Sequence, residues 1–172
     1  ITGTTQKTLR GPRGGFILCK DCHAAAIDAS VFPGSQGGPL MHVIAAKAIC
    51  FRDAMSEAFR AYAQQIVVNA RAMAEEVADQ GLRIVSGGTD NHLVLIDLTS
   101  LGITGKQASI ALEHAGIVAN RNSIPFDTQP PATAGGLRIG APAITTRGFL
   151  AEDARVVARM VCRVLREPES ES

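Results

Sequence analysis

The stretch from Leu40 to Asp79 constrains the fold most, because its apolar residues recur at helical spacing over about forty residues. The apolar positions are Val43, Ile44, Ala48, Phe51, Met55, Phe59, Tyr62, Ile66, Val67, Ala70, Met73 and Val77. A helix of that length is unusual in a globular domain, so we expect a break near residues 56–58 and an end at Gly81. Such a break is a natural place for a hinge between domains.

Shorter runs after Gly81 predict a compact α+β unit, in which a few strands are covered by helices. The expected strands cover residues 82–86, 92–98, 117–121 and 136–140, and the expected helices cover residues 105–114 and about 151–165. Thr104 can cap the first of these helices, and Gly116 can end it. The polar tail over residues 167–172 predicts disorder, and the apolar run over residues 15–19 predicts a buried strand.

The start of the chain places one lysine, Lys7, after several hydroxyl residues and before a basic turn rich in glycine. Gly11 and Gly14 allow the backbone to approach a ligand closely, and Arg10 and Arg13 add fixed positive charge. A cationic neighbourhood favours the neutral amine, which is the form that reacts with a carbonyl group. The spacing therefore indicates an anion-binding site that can carry a nucleophile, and it does not name a cofactor.

The segment Val31–Met41 predicts a defined loop, since it holds three glycines and two prolines. Adjacent Gly37 and Gly38 can point two successive backbone N–H groups at one anion, a geometry that suits phosphate. An ordinary tight turn explains the same residues, and the spacing leaves both interpretations open.

Arg138 interrupts an apolar strand that is flanked by glycines. A charge there is costly to bury unless an anion meets it, and a guanidinium suits a carboxylate in a bidentate pair. A solvent-facing position on the strand accounts for the residue equally well. The polar segment Asn120–Ser123 can likewise contact a polar ligand or only turn the chain.

The segment Cys19–His23 matches the C-x-x-C-H pattern of covalent haem attachment, and C-x-x-C alone also suggests metal or redox chemistry. We favour a strand end that passes into a surface turn, because no second C-x-x-C completes a zinc site. We therefore expect no metal site.

Composition narrows the class of protein. A net charge of +1 argues against a nucleic-acid partner, and no apolar run approaches the ~18 residues that a membrane span needs. The four cysteines do not resemble a disulfide framework in a chain that is 46% hydrophobic. We expect a reducing compartment and hence a cytoplasmic location.

Five segments taken together resemble the motifs of serine hydroxymethyltransferase, in that family's order and over nearly the whole chain. The segments are Thr4–Gly15, Val31–His42, Ser86–His92, Asn120–Pro125 and Leu137–Thr145. The resemblance implies an α/β protein, a fold-type I transferase dependent on pyridoxal phosphate. Residues 1–55 would be the C-terminal part of the large cofactor-binding domain, and residues 56–172 the small C-terminal α+β domain.

The family moves the hydroxymethyl carbon between serine and tetrahydrofolate and makes glycine. The resemblance therefore implies pyridoxal 5′-phosphate as the cofactor, serine, glycine and folate as small-molecule partners, and a parent protein that is a homodimer or homotetramer. No nucleic acid and no membrane enters this interpretation.

The resemblance also assigns roles to residues. Those implied for the cofactor are Lys7, which would hold it covalently, Gln6 and Thr4 beside the reacting atoms, Thr5 in the cofactor site, and Gly37 and Gly38, which in this family reach the phosphate from the neighbouring subunit. Those implied for the substrates are Arg138 on the serine carboxylate, Asn122 near the folate, and Arg13, which would support the active-site loop.

Two departures from the family pattern shape the alternatives. The family usually has histidine where this chain has Gln6, and glutamine cannot titrate near neutral pH. An aldolase-like or α-methylserine-type relative is therefore the second interpretation. The family's upstream half is not among these 172 residues. We expect a fragment that is inactive by itself, and a non-catalytic remnant is the third interpretation.

Overall fold

The computed structural model describes residues 1–168. The chain divides into two compact units, Ile1–Ala61 and the residues from Tyr62 onward. The prediction of a disordered tail falls mainly on residues 169–172, which lie outside the described residues. None of the helices within residues 1–168 has the length and apolar character that crossing a bilayer requires.

The first unit begins with a small antiparallel sheet of β1 (Thr2–Thr4) and β2 (Gly15–Ile17), with Thr2 opposite Ile17. The expected buried strand over residues 15–19 is therefore wrong in length and in burial: Ile17 is 45% exposed and Leu18 is 60% exposed. The physical reason is that a two-stranded ribbon has no second layer of its own to cover its apolar face.

Two helices complete most of this unit, α1 (Asp21–Ala29) and α2 (Met41–Ala54). Helix α1 was not predicted, and it takes up Cys22 and His23, so a helix starts where a surface turn was expected. Cys19 and Cys22 are both exposed and free of disulfide bonds. The loop between the helices contains a cis peptide bond at Phe32–Pro33.

The long helical pattern does break as predicted. Helix α3 (Glu57–Asp79) follows α2 after Met55 and Ser56. The cause is local, because the Ser56 hydroxyl accepts the backbone N–H of Phe59 at 3.1 Å and so caps the new helix. Gly81 then ends α3 with φ near +82°, a conformation that glycine adopts without strain.

The second unit is an antiparallel sheet with helices on one face. Its strands are β3 (Arg83–Ile84), β4 (Leu93–Asp97), β5 (Asn120–Asn122) and β6 (Gly136–Gly140), in the order β3-β4-β6-β5. Its further helices are α4 (Gly105–His114), α5 (Pro142–Thr146) and α6 (Ala151–Arg166). The residues Val94, Ile96, Leu137 and Ile139 bury one sheet face in a core shared with α3, α4 and α6.

Capping signals predicted α4 well, whereas the short strands were harder to place. Thr104 and Gln107 form a reciprocal capping box at the start of α4. By contrast β3 is only two residues long, because the chain turns at Ser86 with φ near +66°. Strand β5 begins at Asn120 rather than at residue 117.

Asp97 links β4 to β3 and makes the stability of the second unit depend on pH. Its buried carboxylate accepts from the guanidinium of Arg83 at 2.5 Å and from the backbone N–H of Thr99 at 2.9 Å. Burial alone would raise the pKa of Asp97, but the hydrogen bonds from Thr99 and Arg83 outweigh it and hold that pKa below its usual value of 3.8.

A carboxyl group whose pKa is lowered by folding stabilises the folded state above its unfolded pKa, and this stabilisation disappears as the pH falls through the folded pKa. We expect Asp97→Asn to cost about 1–3 kcal/mol at neutral pH and to make the free energy of unfolding depend less on pH between about 5 and 2. Urea unfolding followed by circular dichroism would measure both effects, with the exposed Asp79→Asn as the control for losing one charge. An unchanged acid slope in Asp97→Asn would contradict the assignment.

Candidate active site

The loop that carries Lys7 is closed by hydrogen bonds from its own residues. The Thr5 hydroxyl donates to the carbonyl of Pro12 at 2.6 Å, and the Thr5 N–H donates to the carbonyl of Gly14 at 3.0 Å. The Gln6 side-chain oxygen accepts the N–H of Gly14 at 3.1 Å. Thr5 is fully buried, so it shapes the loop from within.

Helix α2 supports the same loop from outside. Lys47 donates from Nζ to the carbonyl of Gly15 at 2.8 Å, and the Cys50 thiol donates to the carbonyl of Leu9 at 3.4 Å. A Cβ built on Gly11 would lie 2.4 Å from the Cys50 sulfur. Glycine at position 11 therefore permits a close approach, as expected, but the approach is to a helix side chain of the protein itself.

The Lys7 side chain is exposed, and within residues 1–168 its amine makes no hydrogen bond or ion pair. Its backbone carbonyl accepts from the N–H of Arg10, whose guanidinium lies 5.7 Å from the centre of the Phe59 ring. Thr4 and Arg13 are exposed at the two sides of the loop. The loop thus holds its backbone firmly and leaves the lysine amine available.

Gly37 and Gly38 lie in the exposed loop between α1 and α2. Within the described residues their backbone N–H groups have no hydrogen-bond acceptor. A Cβ on either glycine would meet nothing within 4 Å, so packing inside this unit does not require glycine there. Both N–H groups are therefore available to a ligand, and their binding of a phosphate stays a prediction.

Arg138 and Asn122 come together on the second face of the larger sheet. Arg138 stands on β6 between Leu95 of β4 and Asn120 of β5, with its side chain exposed. Both Arg138 and Asn122 line one pocket, whose remaining walls are the loop over residues 85–91 and Leu93 and Leu95 of β4. No carboxylate within residues 1–168 forms an ion pair with Arg138.

The motif Cys19–His23 contributes no side chain to the pocket of Arg138. No group of three or more histidine, cysteine, aspartate or glutamate side chains within residues 1–168 is arranged to hold a metal ion. Cys162 is a core residue on α6, and burial raises the pKa of its thiol to about 11, so it stays protonated at neutral pH.

The residues of the first unit fit pyridoxal phosphate in their chemistry. An aldehyde needs an available amine, which Lys7 provides, and a phosphate needs unpaired donors, which Gly37 and Gly38 provide. When bound, such a cofactor would supply the electron sink of the reaction. Thr5 has its hydroxyl proton engaged with Pro12, so any direct contact of Thr5 with the cofactor stays a prediction.

Sequence patterns missed Lys47 and Cys50, which hold the lysine loop, and Asp127, which closes the loop between β5 and β6. Lys47 had a usable signal, because it is one cation in an otherwise apolar half of α2. Asp127 had none, since its partners are backbone groups up to eight residues away.

The family model described as serine hydroxymethyltransferase matches residues 1–161 of this chain. The match spans both compact units, so it includes the lysine loop, the glycine loop and the pocket of Arg138.

Proposed function

Because this chain belongs to the serine hydroxymethyltransferase family, we propose that it serves the pyridoxal-phosphate-dependent interconversion of serine and tetrahydrofolate with glycine and 5,10-methylenetetrahydrofolate. The observation that carries the proposal is the available amine of Lys7, held on a loop that Thr5, Gln6 and Lys47 fix through backbone carbonyl and N–H groups. A rigid support reduces the entropy that ordering the reacting group costs.

In this proposal the residues of the first unit bind and orient the cofactor. Lys7 holds it through the ε-amine, and the N–H groups of Gly37 and Gly38, contributed by a neighbouring copy of the chain, donate to its phosphate. Thr4 lies beside the reacting atoms, and Arg13 supports the loop. Gln6 keeps the turn closed through Gly14, and as a neutral side chain it neither gives nor takes a proton near pH 7.

The residues of the second unit bind the substrates. Arg138 presents an exposed guanidinium, which binds the carboxylate of serine or glycine in a charge-assisted pair. Asn122 lies in the same pocket, where its side-chain amide donates to the Ser123 carbonyl and leaves its oxygen for a folate donor. Residues 1–55 and 56–172 are proposed as parts of the large and the small domain.

The proposal is tested on the natural polypeptide that carries this sequence. We expect its addition to pyridoxal phosphate to give a visible absorption band and, with serine and tetrahydrofolate, to give glycine. A protein that forms neither the band nor glycine would refute the proposal.

One observation favours a second candidate within the family's chemistry. The side-chain oxygen of Gln6 accepts the N–H of Gly14, whereas a titrating side chain at this position could move a proton. An aldolase-like or α-methylserine-type reaction would then be preferred. Comparing serine plus tetrahydrofolate with threonine as substrates, in wild type and Gln6→His, separates the two reactions.

A further inference from the structure

One carboxylate closes the polar loop that leads from β5 to β6. Asp127 accepts the backbone N–H groups of Ile124 at 3.2 Å, Gln129 at 2.9 Å and Gly135 at 2.8 Å. Its oxygen Oδ2 takes the first and the last of these, and Oδ1 takes the middle one. The carboxylate therefore ties the two ends of the loop to its centre.

The two tied ends are next to the two residues of the substrate pocket. Ile124 follows Asn122 and Ser123, and Gly135 precedes Gly136, which pairs with Asn122 across the sheet. Arg138 comes two residues after Gly136 on the same strand. The position of Asp127 thus controls how the chain leaves Asn122 and how it enters the strand of Arg138.

Gly135 and Gly136 pack closely against this loop. A Cβ on Gly135 would lie 2.6 Å from Asp127 Oδ1, and a Cβ on Gly136 would lie 2.5 Å from the Ile124 side chain. Within the described residues no lysine or arginine pairs with Asp127. The N–H of Gln129, followed by that of Gly135, holds the pKa of Asp127 below 3.8, although burial and the like charge of Asp97 oppose this.

We propose that Asp127 is a positioning residue, which fixes Asn122 and Arg138 relative to each other by tying the loop between them. The inference rests on the proposed function, because it assigns a purpose to the geometry of that pocket. Asp127 touches neither substrate in this account and acts only through the backbone.

The three hydrogen bonds that Asp127 accepts predict which substitutions disrupt the loop. In Asp127→Asn the new side chain would have to place its NH₂ group either against the N–H of Gln129 or against those of Ile124 and Gly135, so at least one donor would lose its acceptor. In Asp127→Glu the extra methylene displaces the carboxylate, so its two oxygens cannot meet the three N–H groups in the same geometry. Gly135→Ala should break the same tie from the other side.

The experiment compares Asp127→Asn, Asp127→Glu and Gly135→Ala in the natural polypeptide, with Asp153→Asn as the matched control. Asp153 also accepts a backbone N–H, that of Leu150 at 2.9 Å, but it does so at the start of α6 and lies outside the pocket lining. In the three test variants we expect faster hydrogen exchange at the amides of residues 124, 129 and 135. We expect KM for tetrahydrofolate to rise about tenfold, with kcat within about twofold of wild type.

A merely structural role would lower the active fraction, and so kcat, without moving KM; this is the result expected for Asp153→Asn. The KM for tetrahydrofolate of the double variant Asp127→Asn/Gly135→Ala should be no higher than that of either single variant, because both substitutions disrupt the same contact between Asp127 and Gly135. Unchanged exchange or unchanged KM would overturn this inference and leave the proposed function intact. A wild-type protein without activity would overturn the proposed function, and the positioning role with it, even where exchange at the loop changes.

Discussion

Replacing Lys7 by alanine is expected to lower kcat for glycine formation at least about a thousandfold, because the reaction loses the single lysine amine of the loop Thr4–Gly15. The loss should be chemical and not structural. Lys7 is exposed and its side chain makes no hydrogen bond or ion pair within residues 1–168, so the free energy of unfolding should change by less than about 0.5 kcal/mol.

Three comparisons make this result specific. Lys7→Arg keeps the charge but offers no amine nucleophile, so it should be as inactive as Lys7→Ala. Lys20→Ala removes another exposed lysine and should retain wild-type activity. Borohydride reduction with pyridoxal phosphate, followed by peptide mass spectrometry, should label Lys7 in the wild type. A label on Lys47, or full activity of Lys7→Ala, would show that the nucleophile has been assigned wrongly.

Replacing Arg138 by alanine is expected to raise KM for serine about a hundredfold, since a charge-assisted bidentate pair with the substrate carboxylate is lost. Lysine at this position restores the charge but not the planar fork, so Arg138→Lys should recover about half of that loss on a logarithmic scale. The guanidinium stands on the exposed sheet face, so neither variant should change unfolding by circular dichroism.

Arg121→Ala is the matched control for Arg138→Ala. Arg121 is also exposed and lies on the neighbouring strand β5, but it pairs with Leu137 and is outside the pocket. The Arg121 variant should have the same KM for serine as the wild type. If both arginine variants raised KM equally, the effect would come from the general positive field of the sheet and not from a specific carboxylate site.

Hydrophobic periodicity and capping residues predicted the helices whose signals are local in the sequence. The break at Ser56, the box at Thr104 and the end at Gly81 each depend on residues within one turn, which a sequence displays directly. Helix α1 escaped prediction because it buries no residue in this unit and shows no apolar stripe. The strands β1 and β5 are three residues long, and their existence depends on partners far along the chain.

The residues of the candidate site also divide into those that local sequence features reveal and those that only the fold reveals. Spacing drew attention to Lys7, to the adjacent glycines and to Arg138, because reactive groups and glycine-rich turns are local features. It could not show that Lys47 supports Gly15 across thirty-two residues, or that Thr5 is buried beneath the loop. Residues that hold a site in shape interact at long range, so only the folded chain displays them.

The alternation along β6 links the packing of the core to the orientation of Arg138. Leu137 and Ile139 point into the core, and Arg138 points out between them. A slip of one residue would bury the guanidinium and expose both apolar side chains, at a cost of several times RT. The packing that stabilises the second unit therefore also sets the orientation of the guanidinium that is proposed to bind the substrate carboxylate.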